Sequence, residues 1–348
     1  MHWLERHWYR ITPLHILLLP ISFIFRLLAA MRRALYRSGM LPSEKLPVPV
    51  IVVGNITVGG SGKTPLTLWL AQQLLDEGWH PGIISRGFTK GTQSTAKQAS
   101  RRIDSGGINT HAPQVVHSSS SPDEVGDEAV LMAQRELCPV WVGRDRSATG
   151  RALLRAHHEC DILLSDDGLQ HYRLQRDAEI IVIDGMRRFG NGFLLPAGPL
   201  REAPSRLKEV NAVVINGGMA VNDEYRMQLE GSVFHNLLNP ETIMRASEFH
   251  GQHLHAIAGI GHPQRFFAHL KNLGLALQTH PFPDHHCYTP ADLAYADADA
   301  ILMTEKDAVK CTAFATEKCW VLRVEAQLDP ALTHYILERI APNGRQAA

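Results

Sequence analysis

The sequence predicts an α/β protein with a doubly wound core, a smaller second α/β lobe and a membrane-associated N-terminal helix. Three observations carry that expectation. Short apolar runs bounded by turn residues recur at 48–53, 81–86, 140–142, 162–164, 180–183 and 212–215, with helix-length segments between several of them. Buried parallel strands alternating with helices have this pattern. A glycine-rich turn follows the first of these runs directly, and residues 11–30 are almost wholly apolar.

The 348 residues suffice for two domains and a sizeable core. Lys plus Arg number 35 and Asp plus Glu 35, so no overall field draws the chain to nucleic acid. Five cysteines, at 138, 160, 287, 311 and 319, lack CxxC or Cys/His ligand spacing and read as ordinary cytosolic thiols. The division expected along the chain is a helix over 1–38, a nucleotide-binding core over 39–215, a connector over 216–254 and a C-terminal α/β lobe over 255–348. Within the core, 89–121 is polar, weakly patterned and expected to be a flexible excursion. The second lobe is expected to hold strands at 255–258, 275–279, 301–304 and 320–324 and a helix at 263–270.

The N-terminal apolar run is long enough for a membrane span, but Pro20 interrupts it and Arg26 puts a charge inside it. Trp3, Trp8 and Tyr9 precede it and Arg32, Arg33 and Arg37 follow. That distribution suits a helix lying at headgroup level rather than one crossing the bilayer or packed inside the domain. A cleaved signal peptide fits poorly, because a nucleotide loop soon after it belongs in the cytoplasm.

Thr57, Val58, Gly59, Gly60, Ser61, Gly62, Lys63 and Thr64 form the glycine-rich turn, and a helix pattern follows with Pro65 in its first turn. Strand, loop and helix in this order are those of a P-loop NTPase. Backbone N–H groups turn inward to cradle phosphates, Lys63 reaches the β/γ-phosphates and the Thr64 hydroxyl suits Mg²⁺. Thr57 stands where the general G-x-x-x-x-G-K-[ST] pattern has glycine.

Asp166 and Asp167 end an apolar strand pattern, where a P-loop enzyme places a magnesium-holding acid; an Asp-Gly turn is the plainer account. Asp127 and Glu128 open an expected helix, where carboxylates are at home without catalysis, although transfer to a hydroxyl needs such an acid as base. His262 lies between a strand and a helix and could face a cleft. Asp284-His-His286 is a weak metal signal. Arg144, Arg146, Arg173, Arg176, Arg187, Arg188 and Arg201 crowd the strand ends of the core, and a long loop over 190–202 has few packing residues.

Taken together, eight segments resemble the tetraacyldisaccharide 4'-kinase family in order: 54–65, 84–87, 125–128, 165–171, 195–202, 259–263, 283–286 and 304–307. Thr57 is ordinary for that family. The resemblance implies ATP-dependent phosphorylation of the 4'-hydroxyl of a tetraacylated glucosamine disaccharide 1-phosphate, with Mg²⁺, at the cytoplasmic face of the bacterial inner membrane; separately, a monomer is expected. It implies Lys63 and Thr64 on phosphate and metal, Asp166 and Asp167 as metal-side acids, Asp127 as base tuned by His262, and Glu128 near the metal. The competing class is a membrane-associated GTPase or metal-delivery switch. Thr304-Glu-Lys-Asp307 argues against it, since a guanine reader spaces Lys and Asp by one residue. A lipid-binding module with a vestigial nucleotide site is a third class.

Overall fold

The structure, a computed structural model, describes residues 7–10, 12–87, 112–221 and 223–344. Most of the excursion expected at 89–121 lies outside the described residues. The chain begins with helix α1 (Leu14–Arg37), then β1 (Val50–Gly54), α2 (Lys63–Asp76), β2 (Pro81–Ser85) and β3 (Gln114–Val116). Helix α3 (Asp127–Gln134), β4 (Val140–Val142), α4 (Arg146–Ala156), β5 (Ile162–Asp166), β6 (Ala178–Asp184), β7 (Ala212–Asn216) and β8 (Glu224–Glu230) follow. They build a nine-stranded sheet in the order β8-β7-β6-β1-β5-β2-β4-β3, with a late strand beyond β8. From β8 to β4 every pairing is parallel, and β3 runs antiparallel at the edge.

Every residue of β1 is buried, as expected of a central strand covered on both faces. Leu66, Leu70 and Leu74 fall on one face of α2 and pack under the sheet. Because β1 lies between β5 and β6, the loops leaving its C-terminal edge open into the crevice where such sheets bind ligands.

The second sheet has six strands. It comprises β9 (Val233–Asn236), β10 (Ile243–Arg245), β11 (Leu254–Ala258), β12 (Leu277–Pro281), β13 (Ala300–Thr304) and β14 (Cys319–Leu322), in the order β10-β9-β14-β13-β11-β12. Helix α5 (Pro263–Asn272) follows β11, and α6 (Glu305–Cys311) follows β13. The late strand β15 (Glu325–Gln327) then returns to pair antiparallel with β8. Helix α7 (Ala331–Gly344) lays Leu332, Ile336 and Ile340 into the core of the first sheet.

Several details differ from the sequence reading. Residues 216–254 contribute strands to both sheets, and 325–344 belong to the packing of the first. Half-exposed strands such as β8, next to the edge of its sheet, lack the continuous apolar run by which central strands are recognised. Strand β12 begins at Leu277 because Leu275 turns into the core ahead of it. Helix α1 runs unbroken through Pro20.

Only 11% of the most apolar window of α1 is buried, which sets aside a core helix. Ile16, Leu17, Phe23 and Ile24 stand more than half exposed. The opposite face is tied down by polar contacts: the Ser22 hydroxyl donates to Leu194 O (2.9 Å) and accepts from Ala197 N (3.0 Å), and Arg33 pairs with Glu209.

Candidate active site

The turn after β1 is held in shape by contacts within the protein. Gly59 and Gly62 take φ of 103° and 97°, a region open to glycine. A Cβ on Gly62 would come within 2.3 Å of Asn216 Nδ2, which donates to Ser61 O at 2.9 Å. Asn55 Nδ2 bonds Ser61 Oγ (3.1 Å), bracing the turn from inside. Outside it runs the 190–202 loop: Val58 N donates to Pro199 O (2.9 Å) and Arg201 N to Ile56 O (2.7 Å). Trp8 Nε1 donates to Pro196 O (3.0 Å), so this loop also links the phosphate loop to the N-terminal segment. Lys63 and Thr64 open α2.

At the end of β5 the two carboxylates that the sequence treats alike are set apart. Asp167 lies 3.6 Å from Lys63 Nζ and 3.1 Å from Arg201. Burial works to raise its carboxyl, yet Lys63 and Arg201 hold it well below the usual range. Asp166 is fully buried and accepts from Thr67 Oγ1 (3.3 Å), while its second oxygen has no partner among the described residues. Burial, with Glu128 adding, pushes its carboxyl upward against the pull of Lys63.

A buried carboxylate oxygen without a donor, facing another acid, is short of positive charge. A hard divalent cation fits that deficit, and carboxylates with a threonine hydroxyl are the oxygen donors Mg²⁺ takes. Among the described residues no three His, Cys, Asp or Glu side chains form a metal cage. Mg²⁺ in phosphoryl transfer keeps water and phosphate oxygens and needs only one or two protein carboxylates, so the donor set suits it.

The second lobe closes over this edge. A Cβ on Gly261 would lie 2.9 Å from Gly60 N, so the loop after β11 rests on the phosphate loop. Arg187 donates to Gly261 O, and Arg265 pairs with Asp184 at 3.0 Å. His262 caps the start of α5; burial and then Arg187 lower its pKa. The partner of Asp127 is His285, whose Nδ1 lies 3.1 Å from Asp127 Oδ2. Burial would raise the Asp127 carboxyl, but the His285 hydrogen bond and Lys306 bring it down to about 2. That same bond raises His285 above its ordinary value. Lys306 Nζ meets Glu128 Oε1 at 3.2 Å and Asp284 Oδ1 at 3.3 Å.

Lys63, Thr64, Asp127, Glu128, Asp166 and Asp167 therefore gather at one sheet edge, and His285 and Lys306 join from the second lobe. Sequence reasoning passed over these last two. Asp284-His-His286 carried a signal, but as a metal motif, and nothing local joins it to a residue 158 positions earlier. Lys306 and Asp307 are consumed by contacts within the protein, which leaves the guanine-reader alternative without its reader. Of the seven arginines, Arg176 and Arg188 serve ion pairs with Glu179 and Glu224. Arg146 is buried, bonding Gly143 O (2.9 Å) and Asp166 O (3.0 Å), and burial lowers its pKa to about 10, still protonated at neutrality.

A family described as Tetraacyldisaccharide-1-P 4'-kinase matches residues 14–341. The Tetraacyldisaccharide 4'-kinase of Methylobacillus flagellatus is 52% identical over 338 residues, covering 97% of this chain and 96% of that one. That of Dechloromonas aromatica is 46% identical over 355 residues, covering 99% of each. The crystal structure of the "apo" form of LpxK from Aquifex aeolicus in complex with ATP is similar at a TM-score of 0.73 and 29% identity, over 94% of this chain and 99% of that one. A phosphate loop facing a carboxylate–histidine pair, on a chain matched along nearly its whole length, belongs to the tetraacyldisaccharide 4'-kinase family.

Proposed function

We infer that this chain transfers the γ-phosphoryl group of ATP to the 4'-hydroxyl of a tetraacylated glucosamine disaccharide 1-phosphate, in lipid A biosynthesis. The observation that carries the site reading is the ionised Asp127, paired to His285 at 3.1 Å, at the same sheet edge as Lys63. The sugar oxygen bonds to the γ-phosphorus as the bond to the ADP oxygen breaks, and the hydroxyl proton passes to Asp127. An acid held near pKa 2 is a weak base. It serves because a loose transition state asks little of the nucleophile, so the proton leaves late.

Residues 57–64 take the triphosphate, with N–H groups of the turn and Lys63 offsetting charge on the transferred group. Lys63 is held in waiting by Asp167. Asp166, Glu128 and Thr64 would hold Mg²⁺ with Asp167 beside them, and such an ion would offset negative charge on the triphosphate. His262, at the loop resting on Gly60, is proposed to shape the lid over the nucleotide.

A cleft of about 270 Å³ beside this edge suits the substrate's other phosphate. Arg32, Arg144, Arg146 and Arg173 line it against the single acid Asp145, and burial together with Arg146 and Arg86 lowers the pKa of His171 there to about 4. Forked guanidinium groups fit a phosphomonoester.

Arg32 belongs to α1, whose exposed apolar face we propose lies in the cytoplasmic surface of the inner membrane. The lipid substrate then need not leave the bilayer.

Wild-type protein with labelled ATP, Mg²⁺ and the disaccharide 1-phosphate in mixed micelles tests the reading. A 1,4'-bisphosphorylated product is expected. Label released only as inorganic phosphate, or a preference for GTP without lipid phosphorylation, would return the chain to the switch class.

A further inference from the structure

We propose that Lys306 is a positioning residue for phosphoryl transfer: its ammonium ties Glu128 of the first lobe to Asp284 of the second and so seats Asp127 against His285. The assignment rests on the reading of Asp127 as the base. It concerns a segment, 304–307, that the reaction as drawn leaves without a task.

Thr304, Glu305, Lys306 and Asp307 begin α6, with the Thr304 hydroxyl accepting from Asp307 N at 3.2 Å. Three of the four reach in different directions. Glu305 takes Arg135 Nη2 at 2.9 Å, at the C-terminal end of α3. Lys306 reaches Glu128, at the N-terminal end of the same helix. Asp307, fully buried, accepts from Gly259 N at 3.2 Å and from Lys310 Nζ at 3.0 Å, fixing the start of the loop that rests on the phosphate loop. Helix α3 has eight residues and is therefore about 12 Å long. Contacts at both its ends fix where Asp127 points as well as where it sits.

The same ammonium sets the other half of the pair. Asp284 Oδ1 accepts from Lys306 at 3.3 Å and from His285 N at 3.0 Å. His285 has φ of 58°, a left-handed backbone that a non-glycine residue holds only under constraint. Through one shared carboxylate oxygen, Lys306 steadies the turn that presents the His285 ring. Remove the ammonium and Glu128 and Asp284 face each other across the lobes as like charges, while three acids including Asp127 lose their common counter-ion.

Full-length wild type, Lys306→Met, Lys306→Arg, Asp284→Asn, the Lys306→Met/Asp284→Asn double variant and Asp127→Asn provide the test. Each is assayed for kcat and for both KM values, with the folded fraction read from the thermal transition. Misplacement of a reacting group predicts that Lys306→Met lowers kcat per folded molecule roughly 10- to 100-fold. KM for ATP is expected to change little, and Lys306→Arg to recover most of the rate. The double variant should fall no further than Lys306→Met alone, since one network is broken once. A Lys306→Met enzyme whose kcat per folded molecule is intact overturns the proposal, as does failure of Arg to rescue or full additivity with Asp284→Asn. If Asp127→Asn also retains turnover, the base reading itself has failed. If Asp127→Asn is inactive while Lys306→Met turns over normally, only the role of Lys306 has.

Discussion

At Asp127 two opposed effects meet. Burial favours the neutral acid, and the hydrogen bond from His285 with the charge of Lys306 favours the carboxylate and prevails, at a pKa of about 2. For a depressed acid, the stability it contributes is present above its unfolded pKa of about 3.9 and lost only as pH falls through about 2. His285 runs the other way. Its pKa is raised, so its contribution is full below about 6.5 and lost as pH rises through the folded value. Histidine NMR should show His285 titrating above 6.5 in the wild type and lower in Asp127→Asn, and an unchanged titration would mean the pair does not form in solution. Asp127→Asn should lower kcat by about 10² to 10⁴ while ATP affinity holds, as removal of a general base does. Parallel loss of ATP binding would make Asp127 a ligand of the nucleotide complex. The placement of Lys63 and Thr64 at the start of the helix after β1 was legible because strand, loop and helix adjoin in sequence. The partner of Asp127 was not: the family resemblance pointed to His262, whereas His285, read only as part of a weak metal motif, is the residue 3.1 Å from it.

Among the elements, α1 and the phosphate-loop turn carry the sharpest expectations. The exposed side chains Ile16, Leu17, Phe23 and Ile24 give α1 a face that burial in the protein does not explain. Phe23→Asp combined with Leu17→Asp should weaken partitioning onto vesicles with little effect on the thermal transition, since neither side chain packs in a core. Unchanged partitioning would remove the membrane role from this face. Gly62→Ala should do the reverse. With φ at 97° and Asn216 within 2.3 Å of the added carbon, it should destabilise the fold by about 1–3 kcal/mol and abolish ATP binding. Retention of both would show that the turn is not built as described. Central strands such as β1, β5 and β6 were visible as apolar runs. Strands β8, β10 and β15 were not: at a sheet edge or next to one they expose alternate residues, and the sequence carries no continuous hydrophobic signal there.

The whole molecule is two sheets stitched by a chain that crosses between them more than once. Strand β8 joins the first sheet, β9 to β14 form the second, and β15 with α7 returns. Ending the chain at residue 324 should therefore destabilise the first lobe, by stripping Leu332, Ile336 and Ile340 from its core and uncovering the edge of β8. A thermal transition equal to the full chain's would mean the tail adds nothing to that core. With Gly261 resting on Gly60 and His285 on Asp127, the proposed function has the nucleotide tail enter at the turn and point across the gap. Crystals soaked with a non-hydrolysable ATP analogue and Mg²⁺ test this most directly. The account predicts the triphosphate on residues 57–64, its terminal phosphate directed toward Asp127 and a metal at Asp166. An empty turn with the analogue bound elsewhere would contradict it.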